Sequence, residues 1–292
     1  MSAGPNETAP PARTPAGGHA RRWLLLAFIS GALAVFAWLW WSPAPATAPA
    51  SIAPDPVPGL IAAAPHDYPR AGLRAFEIGG APAVILLHGY GSDPEAWFPF
   101  VETLVIPGRG RLIFPGGPET TQPPDGPAGE RAWWKLALHT YRTGRGIDMA
   151  DAHPEGLVAA AARMKLLIPE VEERLGEAPG TTILGGFSQG AMVAAETAFT
   201  TDVAMRGLVL LGGTLVNETG WRAGMRTRRR LPVFLAHGRA DSVLPFAGAE
   251  RLRALMTAEG MEVTWVPFAG DHEITPEVVA QLNEFLARLA GR

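Results

Sequence analysis

The chain has 292 residues, 47% of them hydrophobic and 18% charged, with a formal net charge of -3 and no Cys. That composition can fill a core, so wholesale disorder is excluded, and the small negative charge excludes a nucleic-acid binder working by bulk electrostatics. The lack of Cys excludes a disulfide framework, a Cys nucleophile and a thiolate metal site.

Residues 1–22 read as a disordered N-terminus with Arg13, Arg21 and Arg22 set against Glu7. Residues 23–41 carry no charge. As a helix they would span roughly 28 Å, close to the hydrocarbon thickness of a bilayer. Trp38, Trp40 and Trp41 suit an interfacial belt at its far end. The expectation is a single transmembrane anchor with the N-terminus in the cytoplasm and the rest extracytoplasmic (periplasmic if Gram-negative). The rival is a signal peptide cleaved near Ala44-Pro45-Ala46, which would give a secreted protein. Residues 42–70 are dominated by Pro and Ala and read as a semi-rigid linker.

Residues 71–292 have a different texture. Short apolar runs at 83–87, 111–114, 181–184, 207–211, 233–236 and 263–266 read as buried strands. Segments 157–175, 191–201, 249–259 and 276–289 read as helices, the last with Thr275 as N-cap and Pro276 in its first turn. This alternation predicts one α/β domain, a mostly parallel sheet with helices on both faces.

The strongest chemical signal is Gly186-Phe187-Ser188-Gln189-Gly190, a G-x-S-x-G between a predicted strand and a predicted helix. In that context a sharp turn lifts the Ser above the sheet edge, and its Gly neighbours avoid collision with the adjacent strand and helix. A Ser hydroxyl needs a base within hydrogen-bond reach, and the partners follow in the order acid, then His. His272 and Asp241 each lie just after a predicted strand, in loops that leave the same sheet edge as Ser188. Asp271 competes with Asp241 for the acid role, but it adjoins His272 and reaches its neighbour's ring poorly. The oxyanion hole is expected from the backbone N–H of Gln189 and, in the loop His88-Gly89-Tyr90-Gly91, that of Tyr90.

Together LLHGYGSD, GFSQGA, HGRADSVLP and GDHE resemble the phospholipase/carboxylesterase group of α/β hydrolases, which includes the acyl-protein thioesterases. The resemblance implies an α/β-hydrolase fold, the triad Ser188, Asp241 and His272, the oxyanion donors Tyr90 and Gln189, and a metal-free esterase or thioesterase without cofactor. The expected partners are an ester-bearing small molecule or lipid and, through the anchor, a membrane. Two other functions fit such a scaffold: a serine peptidase, and a catalytically silent module binding acyl ligands.

Weaker features remain. Trp133 and Trp134 read either as an apolar wall over the Ser or as core. His88 and His237 each end a predicted strand, where an imidazole can pin a loop. His19 and His66 fall in the flanks, and His139 and His153 in the stretch after Trp134. The Arg run from Arg222 to Arg230 reads as a solvated loop, as do Asp148, Asp151 and His153.

Overall fold

The computed structural model describes residues 64–121, 130–143 and 146–290. Eight strands form one sheet: β1 (Ala64–Tyr68), β2 (Leu73–Ile78), β3 (Ala83–Leu87), β4 (Arg111–Pro115), β5 (Ile183–Phe187), β6 (Gly207–Leu211), β7 (Val233–Gly238) and β8 (Val263–Phe268). Their spatial order is β1-β2-β4-β3-β5-β6-β7-β8. The pairs β1/β2 and β2/β4 are antiparallel and the rest are parallel. Among the described residues five helices of ten residues or more accompany it: α1 (Glu155–Leu175), α2 (Gln189–Thr200), α3 (Glu218–Thr227), α4 (Phe246–Ala258) and α5 (Pro276–Ala290).

The central strands are apolar throughout because both faces are covered. Their alternate residues enter two separate cores. Ile85, Leu87, Leu208, Leu210, Val233 and Leu235 meet Leu157 and Met164 of α1, Val193 of α2 and Leu252 of α4. Val84, Leu86, Val209, Leu211 and Phe234 meet Val278, Leu282 and Phe285 of α5. Thr275 caps α5, its Oγ1 accepting the Val278 N–H at 3.3 Å.

Two elements in particular depart from the sequence reading. Ala64–Tyr68, placed in the linker by its composition, instead forms the edge strand β1, and His66 lies within it. Pro65 is tolerated there because an edge strand needs fewer ladder donors. Tyr68 donates to Glu77 Oε1 at 2.6 Å, and Glu77 also pairs with Arg111 and Arg174, tying the edge to β4 and α1. Helix α3 replaces the loop expected around the Arg run. Its first turn is capped by Asn217, which accepts from the Gly220 N–H at 3.2 Å, and it buries Trp221 and Met225.

The membrane expectation is corrected. Among the described residues no helix is long and apolar enough to cross a membrane, and residues 23–41 lie outside them. The described residues form an α/β-hydrolase domain, and none of their helices is the spanning helix expected in front of it. The single-pass, extracytoplasmic placement that followed from that helix is withdrawn with it.

Candidate active site

Strand β5 ends at Phe187, and the chain turns into α2 through Ser188. Ser188 has φ 54° and ψ −115°, a backbone region that costs a non-Gly residue energy. The turn is held because the surroundings allow no other path. The Ser188 N–H donates to Leu211 O of the neighbouring strand at 2.8 Å. A Cβ on Gly186 would lie 2.4 Å from the Gly190 carbonyl carbon, and one on Gly190 would lie 2.2 Å from Leu87 O. Both contacts are with backbone, so the two glycines that flank Ser188 in the motif are demanded by strand–helix packing.

His272 comes to Ser188 from the loop after β8. Its Nε2 is 2.8 Å from Ser188 Oγ and its Nδ1 is 2.7 Å from Asp241 Oδ2. The carboxylate can only accept, so Nδ1 carries the proton and Nε2 faces the hydroxyl as acceptor. The Phe187 ring packs against the imidazole at 4.8 Å. Gly212, at φ 58°, keeps the space beside them open, since a Cβ there would lie 2.9 Å from Phe187 Cε2 and 3.4 Å from His272 Cε1.

The Asp241 side chain is wholly buried. Burial alone would raise its pKa, but hydrogen bonds from His237 and His272 and from the Leu244 N–H outweigh that penalty and hold the carboxyl well below the usual range. Oδ1 accepts the N–H groups of Val243 at 2.9 Å and Leu244 at 2.7 Å, which leaves Oδ2 for the two imidazoles. Asp271 is elsewhere engaged. Its Oδ1 accepts the N–H groups of Ser242 and His272, both at 2.7 Å, and the Ser242 hydroxyl at 2.9 Å. It fastens the Asp241 loop to the His272 loop and makes no hydrogen bond to the ring.

The loop after β3 faces the same turn. A Cβ on Gly89 would lie 3.5 Å from Ser188 Cβ. Neither the Tyr90 N–H nor the Gln189 N–H has an acceptor among the described residues. The loop is fixed by His88, which is buried. Its Nδ1–H donates to Gly89 O at 2.7 Å, and its Nε2 accepts the Gly117 N–H at 2.9 Å. Burial pushes the His88 pKa down to about 4, so the ring stays neutral. The Gln189 side chain, missed by the sequence reading, clamps the other flank. Its Oε1 accepts the Trp133 N–H at 2.9 Å and its Nε2 donates to Trp134 O at 2.8 Å. Trp133 and Trp134 are themselves buried, 2% and 4% exposed, and their backbone is held by the residue next to Ser188. A cleft of about 380 Å³ opens beside Tyr90 and is also lined by Glu119, Thr121, Lys135 and Leu136.

The remaining polar candidates lie apart. Asp148 pairs with Arg251, His153 Nε2 stands 3.9 Å from Glu196, and among the described residues no three His, Asp or Glu side chains gather to hold a metal ion. Arg222 and Arg226 pair with Glu259, while Arg228, Arg229 and Arg230 line a surface cleft beside Arg206 and Pro232 at the opposite ends of β6 and β7.

Comparison with known proteins agrees with this architecture. Over 185 residues the chain is 30% identical to acyl-protein thioesterase 1 of Yarrowia lipolytica, covering 61% of this chain and 77% of that protein. It is 23% identical over 211 residues to acyl-protein thioesterase 1 of Schizosaccharomyces pombe, covering 71% and 91%. Among solved structures, acyl-protein thioesterase 2 of Zea mays superposes with a TM-score of 0.59 at 22% identity, covering 74% of this chain and 98% of that one. Residues 79–290 match the phospholipase/carboxylesterase family as a whole. The chain belongs to that family of hydrolases.

Proposed function

We propose that this protein hydrolyses carboxylic esters or thioesters of acyl groups through an acyl-enzyme on Ser188. The observation that supports this best is the unbroken hydrogen-bonded chain from Asp241 through His272 to Ser188, with links of 2.7 and 2.8 Å. His272 Nε2 takes the hydroxyl proton as Ser188 Oγ attacks the acyl carbon. Asp241 keeps the Nδ1–H in place and stabilises the imidazolium. The carbonyl oxygen becomes an oxyanion facing the N–H groups of Tyr90 and Gln189. The intermediate collapses and His272 returns its proton to the departing alcohol or thiol. Water then enters, loses a proton to the same nitrogen and attacks the acyl carbon; as the bond to Ser188 Oγ breaks, His272 returns that proton to Oγ and the acid leaves. The names of the relatives favour acyl thioesters; lysophospholipid esters have the same reacting carbonyl.

Ser188→Ala, in the full-length protein, should lower hydrolysis of p-nitrophenyl esters by on the order of 10⁴-fold or more and abolish labelling by a fluorophosphonate probe. A panel from acetate to palmitate, run beside matched thioesters and anilides, reads the substrate class. Wild-type-like turnover by folded Ser188→Ala protein would overturn the mechanism. Faster cleavage of anilides than of esters would make the enzyme a peptidase.

A further inference from the structure

His237 is buried and makes no use of its chemistry in the mechanism above. It lies four residues before Asp241, at the end of β7. Its Nε2 is 3.1 Å from Asp241 Oδ2 and 2.9 Å from Leu244 O. Both neighbours are acceptors, so this nitrogen carries the proton. Its Nδ1 is buried with no partner, so a second proton there would be an unsatisfied buried donor. The ring therefore presents an Nε2–H to both acceptors. That Nε2–H is bound to Leu244 O and also lies 3.1 Å from the oxygen that faces His272 Nδ1.

We infer that His237 is a positioning residue, a fourth member of the relay, whose Nε2–H fixes the plane of the Asp241 carboxylate and tempers the charge that Oδ2 presents to His272. The inference rests on the proposed triad. The two backbone donors on Oδ1 cannot set this alone, because they leave the carboxylate free to rotate about them. The Leu244 carbonyl, bound to the same Nε2–H, locks the imidazole to the loop that carries both backbone donors.

The surroundings make the effect readable in a pH profile. Around His237 stand the Phe246 ring at 6.1 Å, with the Arg239 guanidinium over that ring, and Pro267 beside it in register on β8. Around His272 stand Asp241, the uncharged Ser188, Phe187 and Gly212, and, on its own loop, Asp271 and Glu273. Removing the His237 donor leaves Oδ2 more basic, which favours protonated His272. The base must be neutral to act, so the acidic limb of kcat/KM moves to higher pH.

Two variants of equal length separate the donor from mere bulk. His237→Met fills the space without a donor, and His237→Gln returns an amide N–H near the Nε2 position. With p-nitrophenyl butyrate, His237→Met should lose kcat by about tenfold at unchanged KM. Its acidic limb should move to higher pH, and His237→Gln should recover most of both. Thermal melts of both variants check folding. The inference is overturned if folded His237→Met keeps wild-type kcat and limb, or if His237→Gln is no better than His237→Met. Should His237→Met fail to fold, His237→Gln decides alone: near-wild-type kcat and limb support the donor role, and a tenfold loss with a shifted limb refutes it. Failure of the triad reading shows separately, as activity surviving Ser188→Ala.

Discussion

Replacing Asp241 by Asn exchanges one carboxylate oxygen for an NH₂ group and should disable the proposed base. Oδ1 of Asp241 accepts two backbone N–H groups, from Val243 and Leu244, at 2.9 and 2.7 Å. The Asn oxygen must therefore occupy that position, because an NH₂ there would face two donors. The amide NH₂ is forced to the Oδ2 site, 2.7 Å from His272 Nδ1 and 3.1 Å from His237 Nε2. His272 then has to accept through Nδ1, which moves its proton to Nε2 and aims an N–H at Ser188 Oγ. In that tautomer the base has no lone pair for the hydroxyl proton. His237 keeps its Nε2–H on Leu244 O, and the amide NH₂ then faces this N–H as a second donor across 3.1 Å. The geometry survives and the chemistry does not, so kcat should fall by about 10⁴-fold, a barrier increase of about 5.5 kcal/mol. Asp271→Asn is the control. All three donors to Asp271 Oδ1, the Ser242 N–H and hydroxyl and the His272 N–H, can be served by an Asn oxygen, so the loss should stay under about tenfold. Steady-state kinetics on p-nitrophenyl butyrate, with circular dichroism to verify folding, measures both. The reasoning is refuted if folded Asp241→Asn retains more than about a tenth of wild-type kcat, or if Asp271→Asn is the more damaging change.

Two further outcomes concern stability. Gly190→Ala places a Cβ 2.2 Å from Leu87 O and 2.7 Å from His88 O, so β3 and the oxyanion loop must shift; thermal melts should show a loss of roughly 3 kcal/mol or more. Gly176→Ala, at the α1 C-cap with φ 69° and open space around it, should cost only about 1 kcal/mol, and equal losses at the two sites would contradict the packing argument. His88 is neutral in the fold, its pKa pushed by burial from 6.5 to about 4. The unfolded chain therefore binds a proton in this window that the folded chain refuses, and stability is lost as pH falls from about 6.5 through about 4, by up to about 3 kcal/mol. Urea unfolding at pH 7 and pH 4.5 should show His88→Asn losing less stability on acidification than the wild type; an identical pH dependence would remove His88 from the account.

The nucleophile turn was legible because local constraints write it into consecutive residues. Gly186, Ser188 and Gly190 are needed wherever a strand enters a helix this sharply, and apolar runs such as 83–87 and 207–211 mark strands buried on both faces. The order Ser188, Asp241, His272 followed from where each loop leaves its strand. Less was legible where composition and structure disagree. β1 holds Pro65, His66 and Asp67 and joins the sheet through backbone pairing with β2, which leaves little trace in hydrophobic patterning. α3 contains Gly220 and Gly224, poor helix formers that read as loop. Gly224 is required because a Cβ there would overlap Phe199 O of α2, and that contact exists only once the helices are packed.

The same division runs through the site. Residue types and chain order named the proposed nucleophile, its proposed base and two competing acids, because those depend on chemistry and on the strand each loop follows. The choice between Asp241 and Asp271 in space, the clamp of Gln189 on the backbone of Trp133 and Trp134, and the shared oxygen between His237 and His272 join residues 29 to 56 positions apart in sequence, except for His237 and Asp241. Hydrogen bonds of that kind have no sequence period. They are set by where β7 and β8 bring their loops together above the sheet edge, where one buried carboxylate can meet only the donors that the packed chain puts within reach.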